Sequence, residues 1–460
     1  MTVNEHELSF WHSTLTSARA PRPALERDTE CDVAVVGAGY TGLWTAYYLK
    51  KHDPSLRVLL LEAETAGYGA SGRNGGWCSS YLSGIDGWLR DPAHRAGAIH
   101  LQKLMFDAVH EIGHVVEQAS IDCHFELSGA LEIAVNPAQL ARLRAELEAL
   151  RALGFGSDDY RWIGPDEMPS TLRVEGALGA VWLRHCAAIH PARLVRGLAD
   201  TVERMGVLLY EQTPVREFQP RRLRTAAAQV RADRVVLATE GYGEGLGGHR
   251  RDLVPVHSMM VVTEALSPRQ IDELVIHKRY CFGNRDRIVT YGQRTADGRI
   301  AFGCRGSYRY GSQVHRRFDA TDPEFSIVRD TLLRFFPSLA DIGFTHGWGG
   351  AMGVSRSLRP SVSFDAAMGL GRAGGYFGNG VGASQLAGRT LADLLLERDT
   401  DRVHTPWVTN SVWSRRWEPE PLRWLAFQSA RALMQAADRA EYRQSRLAGL
   451  YQKMLKTLFP

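Results

Sequence analysis

The sequence predicts an α/β fold, α+β overall, with a parallel sheet, a region of mixed sheet and a C-terminal helical extension. The first observation is a strand–turn–helix–strand pattern between Cys31 and Glu64. Such a βαβ unit pairs its strands in parallel, within a sheet that is covered on both faces. The second is a pair of strand patterns joined by the turn TADG before Arg299, which is typical of an antiparallel hairpin. The third is the run after Glu420, which consists almost entirely of helix-forming residues.

Apolar periodicity assigns the individual elements in chain order. In the first unit, residues 33–36 and 57–61 read as buried strands around a helix over 41–51, which Asp53 and Pro54 end. The later predictions are helices over 102–118, 139–153 and 383–397, a strand over 129–135, a helix and then a strand over 190–211, and a strand running into a glycine turn over 232–243.

Composition excludes several classes of function. The 460 residues include 44% hydrophobic and 23% charged residues, which is typical of a soluble globular protein. A net charge of +4 without a basic cluster argues against a nucleic-acid partner. The six cysteines form no CxxC pair, so neither a metal site nor a disulfide framework is expected. Without a signal-peptide pattern or a bilayer-spanning run, we expect a cytoplasmic protein without stable membrane insertion.

The turn inside the first unit carries a dinucleotide-binding pattern. Gly37, Gly39 and Gly42 form G-x-G-x-x-G between a strand and a helix, and Glu62 ends the second strand twenty residues later. The first glycine allows a tight turn, the second lets the backbone approach a pyrophosphate, and the third lets the helix pack on the strand. The helix N-terminus attracts phosphate, and the Glu62 carboxylate can accept hydrogen bonds from a ribose diol. This predicts a Rossmann-like domain that binds FAD or NAD rather than NADP.

A second glycine-rich stretch, GYGASGRNGGW, spans residues 67–77, just past the second strand. It therefore lies near the same edge of the sheet, beside the bound dinucleotide. Its glycines let the main chain lie against a flat ligand, and Ser71, Arg73 and Asn74 offer hydrogen-bond donors. We expect this loop to line the pyrophosphate and one side of a flavin ring, which favours FAD over NAD.

A third glycine run, from Gly378 to Gly382, precedes the helix predicted over 383–397. A helix N-terminus aimed at a ring carbonyl stabilises the negative charge that a reduced flavin develops. The run therefore fits the other side of the same flavin.

Four motifs carry a resemblance to a known family: DVAVVGAGYTGL, LLLEAETAGYGASGRNGG, ADRVVLATEGY and GYFGNGVGASQLAGRTLADLLL. In this order they resemble the D-amino-acid-oxidase-type superfamily of FAD-dependent oxidoreductases, and within it the gamma-glutamylputrescine oxidase-like branch. The resemblance covers roughly residues 10 to 400 and includes SFW ahead of the first strand.

The resemblance implies two domains with interleaved segments. The FAD-binding domain would comprise residues 30–85, 175–250 and 345–400, and the mixed-sheet substrate domain residues 86–174 and 251–344. Residues 401–460 would form the C-terminal helical extension. The residues expected to contact FAD are Gly37, Gly39, Tyr40, Thr41, Gly42, Glu62, Ala63, Ala70, Ser71, Gly72, Arg73, Asn74, Gly75, Gly76, Val215, Ala238, Thr239, Gly241, Gly378, Asn379, Gly380, Val381 and Gly382.

The resemblance also implies a reaction. In such enzymes a hydride leaves the carbon next to an amine and reaches flavin N5, and the resulting imine hydrolyses to a carbonyl compound. Dioxygen, or another acceptor, then re-oxidises the flavin, and dioxygen gives hydrogen peroxide. The residues expected to face the flavin and a small-molecule amine are Arg73, Tyr291, Arg305, Trp348 and Asn379, and the fork of donors on Arg305 suits a carboxylate or phosphonate.

The sequence departs from the sarcosine-oxidase type at three positions. That type carries lysines where this chain has Ala301 and Gly382, and a cysteine for covalent flavin attachment in the segment matching 348–356, which has none here. Non-covalent FAD is therefore expected, and oxidase and dehydrogenase behaviour both stay open. Polyamine conjugates, N-methyl amino acids and aminophosphonates all stay open as substrates.

Two other classes of function share the first βαβ unit. An FAD-dependent monooxygenase would reduce its flavin with NAD(P)H, and a flavoprotein subunit would bind FAD without oxidising an amine itself. At the C-terminus, seven Lys and Arg residues accompany two acidic residues after residue 420. We expect these helices to pack on the body or on a second subunit, which would give a homo-oligomer.

Overall fold

The computed structural model describes residues 5–15, 20–246, 250–318 and 323–458. The predicted ranges 175–250, 251–344 and 401–460 therefore include a few residues outside the described chain. The strands are β1 Thr29–Val36, β2 Val58–Leu61, β3 Trp77–Ser79, β4 Ala130–Ala134, β5 Tyr160–Ile163, β6 Gly179–Leu183, β7 Cys186–Ala188, β8 Leu208–Tyr210, β9 Glu217–Gln219, β10 Arg222–Arg224, β11 Gln229–Leu237, β12 Leu253–Thr263, β13 Cys281–Asn284, β14 Thr290–Arg294, β15 Ile300–Tyr308, β16 Phe344–Ser355, β17 Ser361–Asp365, β18 Leu370–Gly374 and β19 Val408–Thr409.

The helices alternate with these strands. They are α1 Phe10–Ser13, α2 Tyr40–His52, α3 Ala70–Arg73, α4 Ile85–Arg90, α5 Arg95–Gln118, α6 Pro137–Ala152, α7 Met168–Thr171, α8 Pro191–Arg204, α9 Pro268–Leu274, α10 Ser326–Phe335, α11 Gly380–Leu395, α12 Leu422–Tyr442 and α13 Leu447–Leu458. The helices predicted over 41–51, 102–118, 139–153 and 383–397 correspond to α2, α5, α6 and α11.

The first sheet confirms the predicted parallel architecture. In the described chain its main path runs β19-β17-β18-β11-β1-β2-β8, and the hairpin β9–β10 joins it on β11. Strands β18, β11, β1, β2 and β8 are parallel neighbours. Helices α2, α5, α8 and α11 cover one face, where Leu43, Val109, Leu194 and Leu386 share a buried apolar core. Burial of each such leucine contributes roughly 1.5–3 kcal/mol.

The second sheet is mixed, as predicted. Its order within the described chain is β16-β12-β15-β14-β13-β4-β6-β5, with every neighbouring pair antiparallel except β13 and β4. The face turned away from the first sheet packs on α10, where Phe302 and Phe335 meet edge to face. The opposite face is turned towards the first sheet and carries the polar side chains described below.

Three strands pair in a sheet other than the one that their predicted domain range implies. Strand β6 lies after residue 175 but pairs with β4 and β5 in the second sheet. Strand β16 starts near residue 345 but pairs along its length with β12, also in the second sheet. Strand β19 lies within the predicted extension but pairs with β17 in the first sheet. Hydrogen bonding to distant strands, which local sequence does not reveal, decides these assignments.

The C-terminal helix α12 packs on the second sheet, and α13 packs on α12. Phe427 on α12 stacks on Tyr308 of β15 with ring centroids 4.7 Å apart. Asp438 and Glu441, the acidic residues of α12, point inward and both pair with Arg287. On the outer side, apolar side chains of α12 and α13 are exposed, namely Leu422, Leu425, Leu447, Leu450 and Met454. No helix in the described part of the chain is long and apolar enough to cross a membrane.

Candidate active site

A cavity of about 790 Å³ lies between the two sheets. It starts at the carboxyl ends of β1 and β2, as expected for a ligand site in a parallel α/β sheet, and reaches the inner face of the second sheet. Most of the predicted site residues line it, namely Gly37, Gly39, Tyr40, Thr41, Glu62, Ala63, Ala70, Ser71, Arg73, Asn74, Gly75, Val215, Ala238, Thr239, Tyr291, Arg305, Gly378, Asn379, Gly380 and Val381.

The turn after β1 has the geometry that a close approach of the backbone requires. Gly37 has φ +106°, and a Cβ there would lie 2.8 Å from the Ala238 oxygen. A Cβ on Gly42 would collide with the Gly37 oxygen, so Gly42 packs α2 on the turn from behind and does not line the cavity. Gly39 is the N-cap of α2 and has no side chain to cap it, which leaves first-turn N–H groups to a ligand.

Glu62 follows β2 and turns back to the same turn. Its carboxylate accepts hydrogen bonds from the Ala38 N–H at 2.7 Å and from the Glu64 N–H at 3.0 Å. Burial raises the pKa of Glu62 to about 7, although the two N–H groups act in the opposite direction. A carboxylate has lone pairs for further donors, so Glu62 can still receive the hydroxyls of a ribose.

The loop over residues 67–77 uses some of its predicted donors internally. The Asn74 amide group donates to the Ala70 oxygen at 3.2 Å and the Ser71 oxygen at 2.9 Å, and its oxygen accepts from the Gly76 N–H at 2.9 Å. The Ser71 hydroxyl oxygen accepts from the Tyr40 N–H at 2.9 Å. Asn74 and Ser71 therefore fix the loop to itself and to α2, although both still border the cavity.

Arg73 is the charged residue of this loop, and it is 1% exposed. Its Nε donates to the Tyr68 oxygen at 2.8 Å and its Nη1 to the Arg316 oxygen at 2.9 Å. The buried Nη2 has no hydrogen-bond partner among the described residues, and Arg73 lines the cavity. A buried donor without a partner is costly, so this nitrogen fits a ligand acceptor.

Two tryptophans hold the carbonyl groups of the same loop from behind. The Trp11 indole N–H donates to the Asn74 oxygen at 2.8 Å, and the Trp348 indole N–H donates to the Arg73 oxygen at 2.9 Å. Trp348 was expected to face the flavin, but it is 2% exposed and does not line the cavity. It packs against Trp11 beneath the loop. Its single indole donor is already used by the Arg73 carbonyl and is not available to a flavin.

Four other glycines that were expected to contact FAD lie behind the cavity wall: Gly72, Gly76, Gly241 and Gly382. Their backbones pack too closely on protein neighbours to carry a side chain. A Cβ on Gly72 would lie 2.7 Å from the His12 ring, and one on Gly241 would lie 3.0 Å from the Gly353 nitrogen. They shape the wall without forming its surface.

The late glycine run joins the wall at the start of α11, which begins at Gly380, three residues before the predicted 383. Asn379 is its N-cap, and its side-chain amide donates to the Ser83 hydroxyl at 3.0 Å. Glu240 holds the preceding segment by accepting from the Gly375 N–H at 3.0 Å and the Tyr376 N–H at 2.9 Å. Sequence reasoning named the turn around Glu240 but not this acid.

The inner face of the second sheet supplies Tyr291 and Arg305. The Tyr291 hydroxyl is hydrogen-bonded to the Ser258 hydroxyl, and burial raises the pKa of Tyr291. The Arg305 guanidinium lies 4.7 Å from the centre of the Phe377 ring and has no hydrogen bond or ion pair with another described residue. Desolvation lowers the pKa of Arg305, which marks it as a cation without full compensation.

A further group of polar side chains at this end was missed by the sequence reasoning: Tyr81, Glu132, Tyr160 and Arg285 all line the cavity. The alternation in ALEIA contained a signal for one of them. Leu131 and Ile133 lie in the core on the far side of the sheet, so the residue between them points to the near side. The others depend on strand order, which no local pattern reveals.

A parallel sheet with a glycine turn, an acid after its second strand and a long cavity reaching a mixed sheet defines a dinucleotide-dependent oxidoreductase. The family model described as DAO, FAD dependent oxidoreductase, matches residues 32–394, and the chain belongs to this family. It is therefore an FAD-dependent oxidoreductase, as predicted.

The chain is similar to several characterised proteins. Gamma-glutamylputrescine oxidoreductase from Escherichia coli K12 is 31% identical over 404 residues, which cover 85% of this chain and 90% of the relative. Sarcosine oxidase subunit beta from Rhodobacter capsulatus is 23% identical over 79% of this chain and 84% of the relative. The crystal structure of glycine oxidase from Geobacillus kaustophilus superimposes with a TM-score of 0.67 at 21% identity, over 81% of this chain and 96% of that chain. This last likeness concerns the fold.

The residues present fit FAD. The turn at Gly37 and the start of α2 suit the pyrophosphate, and Glu62 suits a ribose. The unpartnered Nη2 of Arg73 and the glycines at 75 and 378 lie farther along the same cavity. The cavity is long enough to reach from Glu62 at one sheet to Tyr291 at the other.

Proposed function

We propose that the protein oxidises the C–N bond of an amine or amino-acid-like substrate to an imine, which hydrolyses to a carbonyl compound. The observation that carries the proposal is Arg305, a cation in the cavity wall whose guanidinium forms no hydrogen bond or ion pair with a described residue. An uncompensated guanidinium suits an anionic or strongly polar substrate group, which it can hold through two parallel hydrogen bonds. The relatives are named for gamma-glutamylputrescine, sarcosine and glycine, and these names support the same class of reaction.

FAD, when bound, supplies the acceptor for the hydride that leaves the carbon next to the nitrogen. The protein supplies position. Tyr291 lies beside the loop over residues 67–77, so close that a Cβ on Gly75 would lie 2.6 Å from the Tyr291 ring. Arg305 lies beside the late glycine run, so close that a Cβ on Gly378 would lie 3.1 Å from Arg305 Nε. A substrate held by Arg305 is therefore confined between the two segments that would flank the flavin.

Tyr291 would act as a hydrogen-bond donor to the substrate and not as a base. Burial raises its pKa, so the phenol stays protonated at neutral pH. Ser258 bonds the same hydroxyl and fixes its direction. This chemistry depends on orientation and on a neutral amine more than on a strong base, and Tyr291 meets that need.

We further propose that FAD is held without a covalent bond. Neither a cysteine nor a histidine is among the described residues that line the cavity, and the six cysteines are all buried free thiols elsewhere. Denaturing the purified protein with acid should release all of its yellow colour into the supernatant. Colour that stays with the precipitate would contradict this part of the proposal.

The test of the reaction is anaerobic mixing of the FAD-loaded protein with a panel of amines. The panel contains gamma-glutamylputrescine, N-methylglycine, D-amino acids and an aminophosphonate. We expect one of them to bleach the oxidised flavin band, and admission of air then distinguishes dioxygen from another electron acceptor. Bleaching by NAD(P)H alone would replace the proposal with a monooxygenase, and a flavin that none of them reduces would favour a subunit without its own amine oxidation.

A further inference from the structure

The cavity extends beyond Arg305 to an end that contains more acidic than basic side chains. Glu132, Glu146 and Asp86 line this end, and Arg285 is the basic residue among them. Leu89, Leu150 and Tyr160 supply apolar or aromatic surface around them. This combination differs from the centre of the cavity, where Arg305 is the charged group.

Glu132 is the most buried of these three carboxylates. It lies on β4, where it is paired with Gly283 of β13. Its side chain is 15% exposed, and burial raises its pKa. A buried carboxylate is stable only with a donor or cation close by.

The protein itself supplies only part of that compensation. The Glu132 carboxylate lies 4.0 Å from Arg285 Nη1, at the outer limit of an ion pair, while Arg285 Nη2 is bound to Glu146. The Tyr81 hydroxyl is the neighbouring donor and favours the ionised form of Glu132. Arg305 also favours the ionised form of Glu132, but it makes no ion pair with it in the described chain. The one guanidinium within ion-pair distance of Glu132 is shared with Glu146, which leaves room for a cation in direct contact with Glu132.

The sheet register separates this carboxylate from the reacting end. Gly283 stands between Glu132 on β4 and the strand that carries Tyr291, and Arg305 lies one strand farther on β15. With about 4.8 Å between neighbouring strands, the backbones of β4 and β15 are roughly 14 Å apart. The two side chains point into the cavity between them, so one extended molecule could contact both.

We propose that this end of the cavity is a subsite for a second cationic group, a protonated amine or guanidine, on a chain that extends from the oxidised C–N bond. The inference rests on the proposed amine oxidation and specifies its substrate class as an amine with a distal cation. Glu132 forms the ion pair, Tyr81 donates a hydrogen bond that fixes the carboxylate, and the apolar wall accommodates the alkyl chain.

The experiment compares probes that differ only in the distal charge. FAD-loaded protein is titrated anaerobically with 1,5-diaminopentane against 1-aminohexane, and with lysine against 2-aminoheptanoic acid in both enantiomers. The perturbation of the flavin spectrum gives each dissociation constant. Since a hydrogen bond to a charged group changes affinity by about tenfold or more, we expect the probe with the distal cation to bind at least tenfold more tightly.

Substitution assigns the preference to the subsite. Glu132→Gln keeps the shape and should bring the ratio of the two affinities close to one. Glu148→Gln on the exposed face of α6 removes the same charge outside the cavity and should leave the ratio unchanged. Should Glu132→Gln fail to retain FAD, Arg285→Met tests the same idea, because removal of the competing guanidinium should increase the ratio.

The outcomes separate the subsite from the reaction. Equal affinities in the unsubstituted protein, a preference that survives Glu132→Gln, a ratio that falls in Arg285→Met or no binding of either probe would overturn the subsite. A preference that depends on Glu132 without any flavin reduction would support the subsite and contradict amine oxidation. Flavin reduction without a preference would support amine oxidation and contradict the subsite.

Discussion

The dinucleotide end and the substrate end of the cavity are built in different ways. At the dinucleotide end, residues 37–76 supply glycines, backbone N–H groups and the Glu62 carboxylate, which is already hydrogen-bonded to the protein. At the substrate end, side chains from β4, β12, β14 and β15 meet, and the Arg305 and Glu132 charges are only partly compensated. The dinucleotide end presents mainly backbone groups and a carboxylate that the protein already orients, with Arg73 Nη2 as its unpartnered buried donor among the described residues. The substrate end instead keeps side-chain charges for the ligand to satisfy.

The largest effect is expected from Gly42→Ala, because a Cβ there collides with the Gly37 oxygen and must displace the turn. Overpacking of this kind costs about 1–3 kcal/mol, so the affinity for FAD should fall by up to about 100-fold. The ratio of flavin to protein absorbance, with the thermal unfolding midpoint, measures this. Gly449→Ala on α13 is the matched control, since nothing lies within 4 Å of its Cβ. Full FAD content in Gly42→Ala would mean that the turn is not rigid.

A substitution at the substrate end of the cavity should weaken substrate binding without loss of FAD. Arg305→Met removes a guanidinium that has no acceptor among the described residues, so the substrate concentration for half-maximal flavin reduction should rise about 10- to 100-fold. FAD content should stay the same, in contrast to Gly42→Ala. Arg224→Met on β10, a similar change outside the cavity, should alter neither quantity. An unchanged half-saturation would remove Arg305 from substrate binding.

A smaller, pH-dependent effect is expected at Glu62. Its pKa is raised to about 7 before the ribose hydroxyls arrive, and those hydroxyls favour the ionised carboxylate. FAD affinity should therefore be highest above pH 7 and decrease as the pH falls through 7, by up to about tenfold between pH 8 and 6. Fluorescence titration of the FAD-free protein measures this, and Glu62→Gln should flatten the profile. A profile that keeps its slope in Glu62→Gln would assign the titration to another group, with Glu240 as the first choice.

The smallest effect is expected at the ion pair between Arg316 and Glu64, which joins the two ends at the mouth of the cavity. Its atoms are 2.7 Å apart, but the side chains are 51% and 38% exposed. Exposed pairs contribute about 0–1 kcal/mol, so Arg316→Ala should weaken FAD binding no more than about fivefold. The difference should shrink in high salt. A larger loss would show that the mouth is as rigid as the turn.

The same contrast explains what the sequence could predict. The β1–α2–β2 unit, Glu62 and the loop over residues 67–77 are contiguous, so glycine spacing and apolar periodicity were enough to place them in one site. The parallel and mixed sheets and the C-terminal helical extension were predicted for similar reasons. The resemblance to the family predicts Tyr291 and Arg305 as site residues, and both lie in the cavity wall.

The remaining differences have long-range causes. Trp348 is predicted to face the flavin, but its indole N–H donates to the carbonyl of Arg73, hundreds of residues earlier in the chain. The strands β6 and β16 belong to the second sheet because of partners that local sequence does not name. Glu132 and Arg285 were missed because strand order alone brings them to the end of the cavity.

The indole pair beneath the flavin-side loop has a consequence for how the protein is made. Trp11 is synthesised before the loop and Trp348 long after it, yet the carbonyls of Asn74 and Arg73 need both. A ribosome-bound chain that has formed its first βαβ unit therefore still lacks one of the two supports of the loop, as well as the segment at 378–381. We expect stable cofactor retention only once synthesis has passed residue 381, so that loading with FAD is a late step in the biogenesis of the enzyme.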